Sequence, residues 1–149
     1  MSVIVRPIAD EEVAAAVAIL TAGSLTPDDE HPERLERYVH AVHACRSEGG
    51  EILVAVDGAD VVGVCQLLIF THLQHTGERC AELETVHVRE DRRGHGIGAA
   101  MLEEAERRAR ELGCYRIQLT SRAARLDAHR FYLSNGYDQS HLGFKKSLR

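Results

Sequence analysis

The run Arg93-Gly94-His95-Gly96-Ile97-Gly98 places three glycines at every second position, between a valine-rich extended run and a strongly helical one. Glycine lets the backbone take positive φ and approach a ligand closely. The first turn of the helix that follows leaves several N–H groups without intrahelical partners. The helix dipole adds partial positive charge at the same end, so the segment suits phosphate or pyrophosphate held by fixed backbone donors. A tight strand-to-helix connection is the simpler alternative for such glycines. Two other phosphate motifs are excluded by missing parts. No Gly-Lys-Ser/Thr ending supplies a P-loop lysine, and glycines at 94, 96 and 98 do not make the G-x-G-x-x-G dinucleotide fingerprint.

Groups able to move protons flank this loop. In the preceding run, Cys80 to Val88, a two-residue period puts Glu82, Glu84, Val86 and Val88 on one face, and Ala81, Leu83, Thr85 and His87 on the other. Two carboxylates beside two valines suit a general base, or equally a solvated, salt-bridged face. Downstream, Tyr132 in the Phe131-Tyr132 pair offers either a phenol for acid catalysis or an aromatic for the core of an amphipathic helix.

The elements that must position these groups follow from periodicity. Val3 to Ile8 reads as a strand, and Asp10 as the N-cap of a helix through Leu20. Pro32 suits the first position of a second helix, which Gly49-Gly50 stops. Glu51 to Val56 and Val61 to Phe70 read as strands around Asp57-Gly58, followed by Cys80 to Val88. Gly98 to Leu112 is helical, with an apolar stripe of Leu102, Ala105, Ala109 and Leu112. Tyr115 to Thr120 is a strand, Asp127 to Ser134 a helix closed by Asn135-Gly136, and His141 to Leu148 a final strand. This alternation predicts an α/β (α+β) fold in one domain, residues 1–149, with a mixed sheet and helices on its faces.

Bulk properties narrow the function. The 149 residues, 44% hydrophobic, suffice for one core. A net charge of −5 argues against tracking of nucleic-acid backbone and favours small molecules or basic partners. No run is long enough to span a membrane, and Met1 to Asp10 lacks the apolar core of a signal peptide, so a cytoplasmic location is expected. Cys45, Cys65, Cys80 and Cys114 form no C-x-x-C pair and read as reduced, buried thiols. The histidine pairs His40/His43 and His72/His75 supply too few ligands for a metal site, so no metal is expected.

The loop reads as Arg-x-x-Gly-x-Gly, and with the Val86-His87-Val88 strand, the helix after it and Ala128 to Tyr137 it resembles the GNAT family of N-acetyltransferases. The resemblance is close from Glu82 to about Leu148; before residue 50 only the pattern of elements agrees. It implies a mostly antiparallel sheet and acetyl-CoA as co-substrate. The backbone of Val86 and Val88 would bond the pantetheine arm, and the loop amides, Arg93, Gly94, His95, Gly96, Ile97, Gly98 and Ala99, would hold the pyrophosphate. Transfer to an amine needs a base, because an alkylamine of pKa about 10 arrives as ammonium. Glu84 is preferred over Glu82, being two residues nearer the acyl end. The resemblance assigns Tyr132 as proton donor to the departing thiolate, and the Val86 N–H can meet the oxyanion. The chain departs from the family where an asparagine often precedes the last helix. Ser121, in Ser121-Arg122-Ala123-Ala124-Arg125, or backbone there, is the substitute contact.

Asp127 to Leu133 and Gly136 to His141 resemble the aminoalkylphosphonate N-acetyltransferase branch of that family, implying a small-molecule amine with an anionic group that Arg122, Arg125 or Arg130 can hold. Two other readings stand beside it: transfer to a protein lysine or N-terminus, and a silent acyl-CoA sensor. A homodimer is compatible with each.

Overall fold

Val54 and Val64, paired across two strands and buried beneath a helix, mark the centre of the hydrophobic core. The structure is a computed structural model describing residues 2–149. By its contacts the chain divides into a body ending at Gln118 and a C-terminal arm, Leu119–Arg149.

The body is built on β1 (Val3–Pro7), β2 (Glu51–Asp57), β3 (Asp60–Thr71), β4 (Arg79–Val88) and β5 (Cys114–Leu119), whose spatial order is their chain order. β1 to β4 are antiparallel neighbours. Helix α1 (Val13–Gly23) packs on β3 and β4, and α2 (Leu35–Ser47) on β2. Their apolar faces close over Ile8, Val54, Val56, Val61 and Val64. Helix α3 (Ile97–Glu111) connects β4 to β5, the kind of crossover that parallel neighbours require. Its buried stripe of Ile97, Met101, Leu102, Ala105 and Ala109 covers the opposite sheet face, where Met101 lies over Gly63. Glu104 pairs on the outer side with Arg107 at 2.7 Å and Arg108 at 2.8 Å. Such pairs between neighbouring turns of one helix favour it only weakly, so the buried stripe decides its position.

Element boundaries differ from the sequence reading at helix starts. Asp10 opens a 3-10 turn rather than capping α1, and the Glu12 carboxylate closes that turn by accepting from the Ala9 N–H at 2.9 Å while it pairs with Arg6. α2 starts at Leu35, three residues after Pro32. Between β3 and β4 the chain turns through His75 and Thr76 at φ of 55° and 60°.

The arm holds one helix, α4 (Leu126–Ser134), none of whose residues is buried. Its end is closed by the Asn135 Nδ2, which donates to the Phe131 carbonyl at 2.8 Å, and by Gly136 at φ 88°. Tyr132 packs edge-on against Phe131 and Tyr137, with ring centroids 5.2 and 5.9 Å apart. The strand expected over His141 to Leu148 is not formed among the described residues. Alternating side chains define a strand's faces, but only a neighbouring backbone makes it a strand.

Gly50 carries a packing constraint: a Cβ there would overlap the Leu67 carbonyl oxygen and press on the Cys45 sulfur. Gly50→Ala is expected to destabilise the protein by about 1–3 kcal/mol, as overpacking does. Urea denaturation checks this, and an unchanged midpoint would contradict the packing described.

Candidate functional site

β4 is not a uniform strand. Gln66 of β3 pairs with Glu84, and Val64 pairs with His87, so one residue of β3, Cys65, stands opposite two of β4, Thr85 and Val86. Thr85 takes φ 54° to accommodate the extra residue. This is a β-bulge: it leaves local backbone out of the ladder and re-aims the side chains beyond it.

The bulge corrects the predicted face. Glu82, opposite Leu68, and Glu84, opposite Gln66, do share one side of the sheet. Val88, opposite Gly63, lies on the other side with Leu83 and Ala81, while His87 joins the glutamates. Their common face is the one that α1 and α2 cover: Val64, the partner of His87, belongs to that core, and Gln66 donates to the Cys45 sulfur of α2 at 3.7 Å. His87 packs directly on Gly23 of α1, where a Cβ would overlap its ring. Sequence reasoning missed His87 because nothing in Glu84-Thr85-Val86 announces a bulge; a β-branched residue is a poor candidate for positive φ.

After Val88 the chain enters a 3-10 turn, Glu90–Arg92, which ion pairs hold in place. Arg89 meets Asp91 at 2.6 Å, and Arg92 reaches Asp57 at the end of β2 at 2.5 Å. The Arg93 Nε donates to the Val88 carbonyl at 3.3 Å, so this arginine braces the loop onto the strand. His95 turns back in the same way, its Nδ1 donating to the Arg93 carbonyl at 2.9 Å.

Gly94 and Gly96 have φ of 76° and 79°, and Gly96 is the N-cap of α3. The first N–H claimed inside the helix is that of Ala100, which donates to the Gly96 carbonyl at 3.1 Å. The amides of Ile97, Gly98 and Ala99 therefore form the open first turn. A Cβ added at Gly94 or Gly96 would enter space with no protein atom within 4 Å. Positive φ, open space and unclaimed helix donors make a surface fit for a pyrophosphate. A cleft of about 580 Å³ opens beside it, between Ala15, Ala18 and Ala22 of α1 and the segment from Arg89 to Arg93.

Other groups fall out of the chemistry. Burial pushes the Cys65 thiol up to about 12, so it is no nucleophile at neutral pH. Burial likewise raises Cys45 and Cys114. His72 bonds Tyr115 at 2.7 Å at the far end of β4, and no metal-binding cluster occurs among the described residues. Tyr132 and Ser121 lie in the arm, where α4 presents the tyrosine half-buried among its aromatic neighbours.

Known proteins resemble this chain in sequence and in fold. The model of the Acetyltransferase (GNAT) family matches residues 16–137. The aminoalkylphosphonate N-acetyltransferase of Salmonella typhimurium is 39% identical over 95 residues, 64% of this chain and 61% of that protein's length. A Bacillus halodurans protein described as a transcriptional regulator superimposes with TM-score 0.92 at 32% identity, over 99% of this chain and 100% of the other. Glucosamine-6-phosphate N-acetyltransferase from Arabidopsis thaliana, 16% identical, shares the fold over the full length of both chains, with TM-score 0.82. The family match takes in the bulged strand, the glycine loop and its helix, and the chain belongs to the acetyltransferase (GNAT) family.

Proposed function

We propose that this protein is an N-acetyltransferase that moves the acetyl group of acetyl-CoA directly to the primary amine of a small molecule carrying an anionic group. The observation that carries this reading is the glycine-capped first turn of α3, which opens beside the bulged end of β4. The co-substrate supplies the acetyl group as a thioester, and the rest is done by the chain.

The amides of Gly94 to Ala99 hold the pyrophosphate, with the dipole of α3 behind them. Backbone of Val86 and Val88 positions the pantetheine arm, and the bulge supports this by taking backbone at Thr85 and Val86 out of the β3 ladder. The Val86 N–H donates to the carbonyl oxygen as negative charge builds there. Glu84 accepts the amine's proton, directly or through a water, with Glu82 as the neighbouring carboxylate on the same face. Tyr132 returns a proton to the thiolate. Its phenol, of ordinary pKa about 10, matches an alkyl thiol closely enough for transfer at little cost.

The anionic acceptor is supported by the Salmonella relative's activity and by Arg122, Arg125 and Arg130, spaced through the first part of the arm. Arg130 pairs with Asp127, and the Arg122 carbonyl accepts from His129 at 2.8 Å, so side chain and backbone both order this basic stretch.

Release of free thiol from acetyl-CoA, measured with a panel of amines, tests the assignment. Turnover is expected with small aminophosphonates or amino acids. Transfer to lysine peptides alone, or tight coenzyme binding without turnover of any amine, would contradict it.

The role of Glu84 has its own signature. Glu84→Gln is expected to lower turnover by about 10²–10⁴ near neutral pH, as loss of a general base does. The variant recovers as pH rises, because more amine then arrives neutral. Acetyl-CoA binding should barely change. A pH–rate profile identical to the parent's would remove the role from Glu84.

A further inference from the structure

We infer that His87 carries away the proton that acetyl transfer leaves on Glu84, a role that rests on the acetyl-transfer reading above.

The reaction yields a proton that it does not consume. An ammonium gives up two protons on the way to an amide, and the departing thiolate takes back one. The other stays on Glu84, which must be a carboxylate again before the next amine arrives. Glu84 is half-buried on the sheet face that α1 and α2 cover, so its proton needs a path out.

The bulge supplies the neighbour. In a regular strand His87 would stand on the opposite face from Glu84. Here Val64 and Gln66, the partners of His87 and Glu84, are two apart on β3, so the imidazole and the carboxylate are consecutive on one face, about 6–7 Å apart at Cα. That spacing suits a hydrogen bond between the side chains or one bridging water. The ring is fixed from above, because a Cβ at Gly23, the last residue of α1, would overlap it at Nδ1. Ala22 and Val88, the chain neighbours of this contact, line the cleft of about 580 Å³, so the contact borders an opening to solvent.

The other groups packed on this face are poorer carriers. On β4 they are Glu82, a carboxylate with no greater affinity for the proton than Glu84, and the Cys80 thiol, which donates to the Gln118 side chain at 3.7 Å. Val64 and Gln66 do not titrate, and α1 has no titratable side chain from Val13 to Gly23. On α2, Tyr38 packs on the same core and Cys45 bonds Gln66; burial raises both, so neither takes a proton at neutral pH.

An imidazole, of ordinary pKa about 6.5, takes a proton from a carboxylic acid of about 4.3 and releases it to water near neutrality. The O–H bond on Glu84 breaks as an N–H bond forms on His87. The imidazolium then loses a proton to solvent, and both groups return to their starting states.

Turnover followed as acetylated amine tests this. His87→Ala is expected to lower kcat by about 10²-fold, the lower end for a positioned proton-transfer group, with the KM for acetyl-CoA unchanged. Added imidazole should restore the rate, and more so as pH rises and more of it is neutral. His87→Gln, which fills the space and cannot carry a proton, should lose the same rate at the parent's thermal midpoint. Parent-like kcat in either variant, or a loss in His87→Ala that imidazole does not restore, would overturn the relay. A parent chain that turns over no amine would overturn the acetyl-transfer reading and the relay together.

A readout without coenzyme separates the two failures. With the His87 ring followed by NMR through a pH titration, Glu84→Gln should move its midpoint down, since a neighbouring carboxylate favours the imidazolium. A midpoint that does not move would mean that the two side chains do not meet, and the relay fails whatever the turnover.

Discussion

One extra residue in β4 governs the arrangement of this protein. Because Thr85 and Val86 together face the single residue Cys65, the side-chain alternation of the strand is reset midway. Before the bulge, Leu83 and Ala81 are buried on the sheet face that α3 covers; beyond it, Val88 takes that side in the register with Gly63 and is half-buried. On the opposite side the reset aligns Glu82, Glu84 and His87 beneath α1 and α2. A β-branched residue at φ 54° costs of order 1–3 kcal/mol and persists only where the surroundings over-determine it. Here they do: Cys65 and Leu83 are almost fully buried, and His87 is wedged against Gly23.

The constraint continues into the loop. Between the end of β4 at Val88 and the start of α3 at Ile97 the chain must turn back, which needs backbone conformations that glycine adopts without strain. Gly94 and Gly96 supply them. The ion pair of Arg92 with Asp57 and the bonds from Arg93 and His95 to nearby carbonyls then fix the loop from behind. The polar side chains thus brace the loop, and the first-turn amides of α3 stay unclaimed by backbone. Anion binding by backbone in this way depends little on side-chain charge, which suits a body that is itself acidic.

Much of this was legible in the residues. The glycine loop, its helix with the stripe of Leu102, Ala105 and Ala109, and the strands around Asp57-Gly58 all formed within a few positions of where their patterns put them. Those elements are local, and local spacing specifies them. The bulge was not legible, because the two-residue period assumes a regular strand and Thr85 gives no sign of leaving it. The final strand failed for another reason. His141 to Leu148 has a strand's pattern, but pairing is made by a neighbour, and no sequence window contains the neighbour.

Acetyl-CoA held by the bulged strand and the glycine-capped helix would leave its mark on the backbone amides of those two segments. Titrating isotopically labelled protein with acetyl-CoA and following each backbone amide by NMR tests that directly. The largest shifts are predicted at Val86 and at Gly94 to Ala99, saturating together. Saturable binding that leaves those amides unmoved and perturbs instead the turn at Gln74–Gly77 or α2 would contradict it.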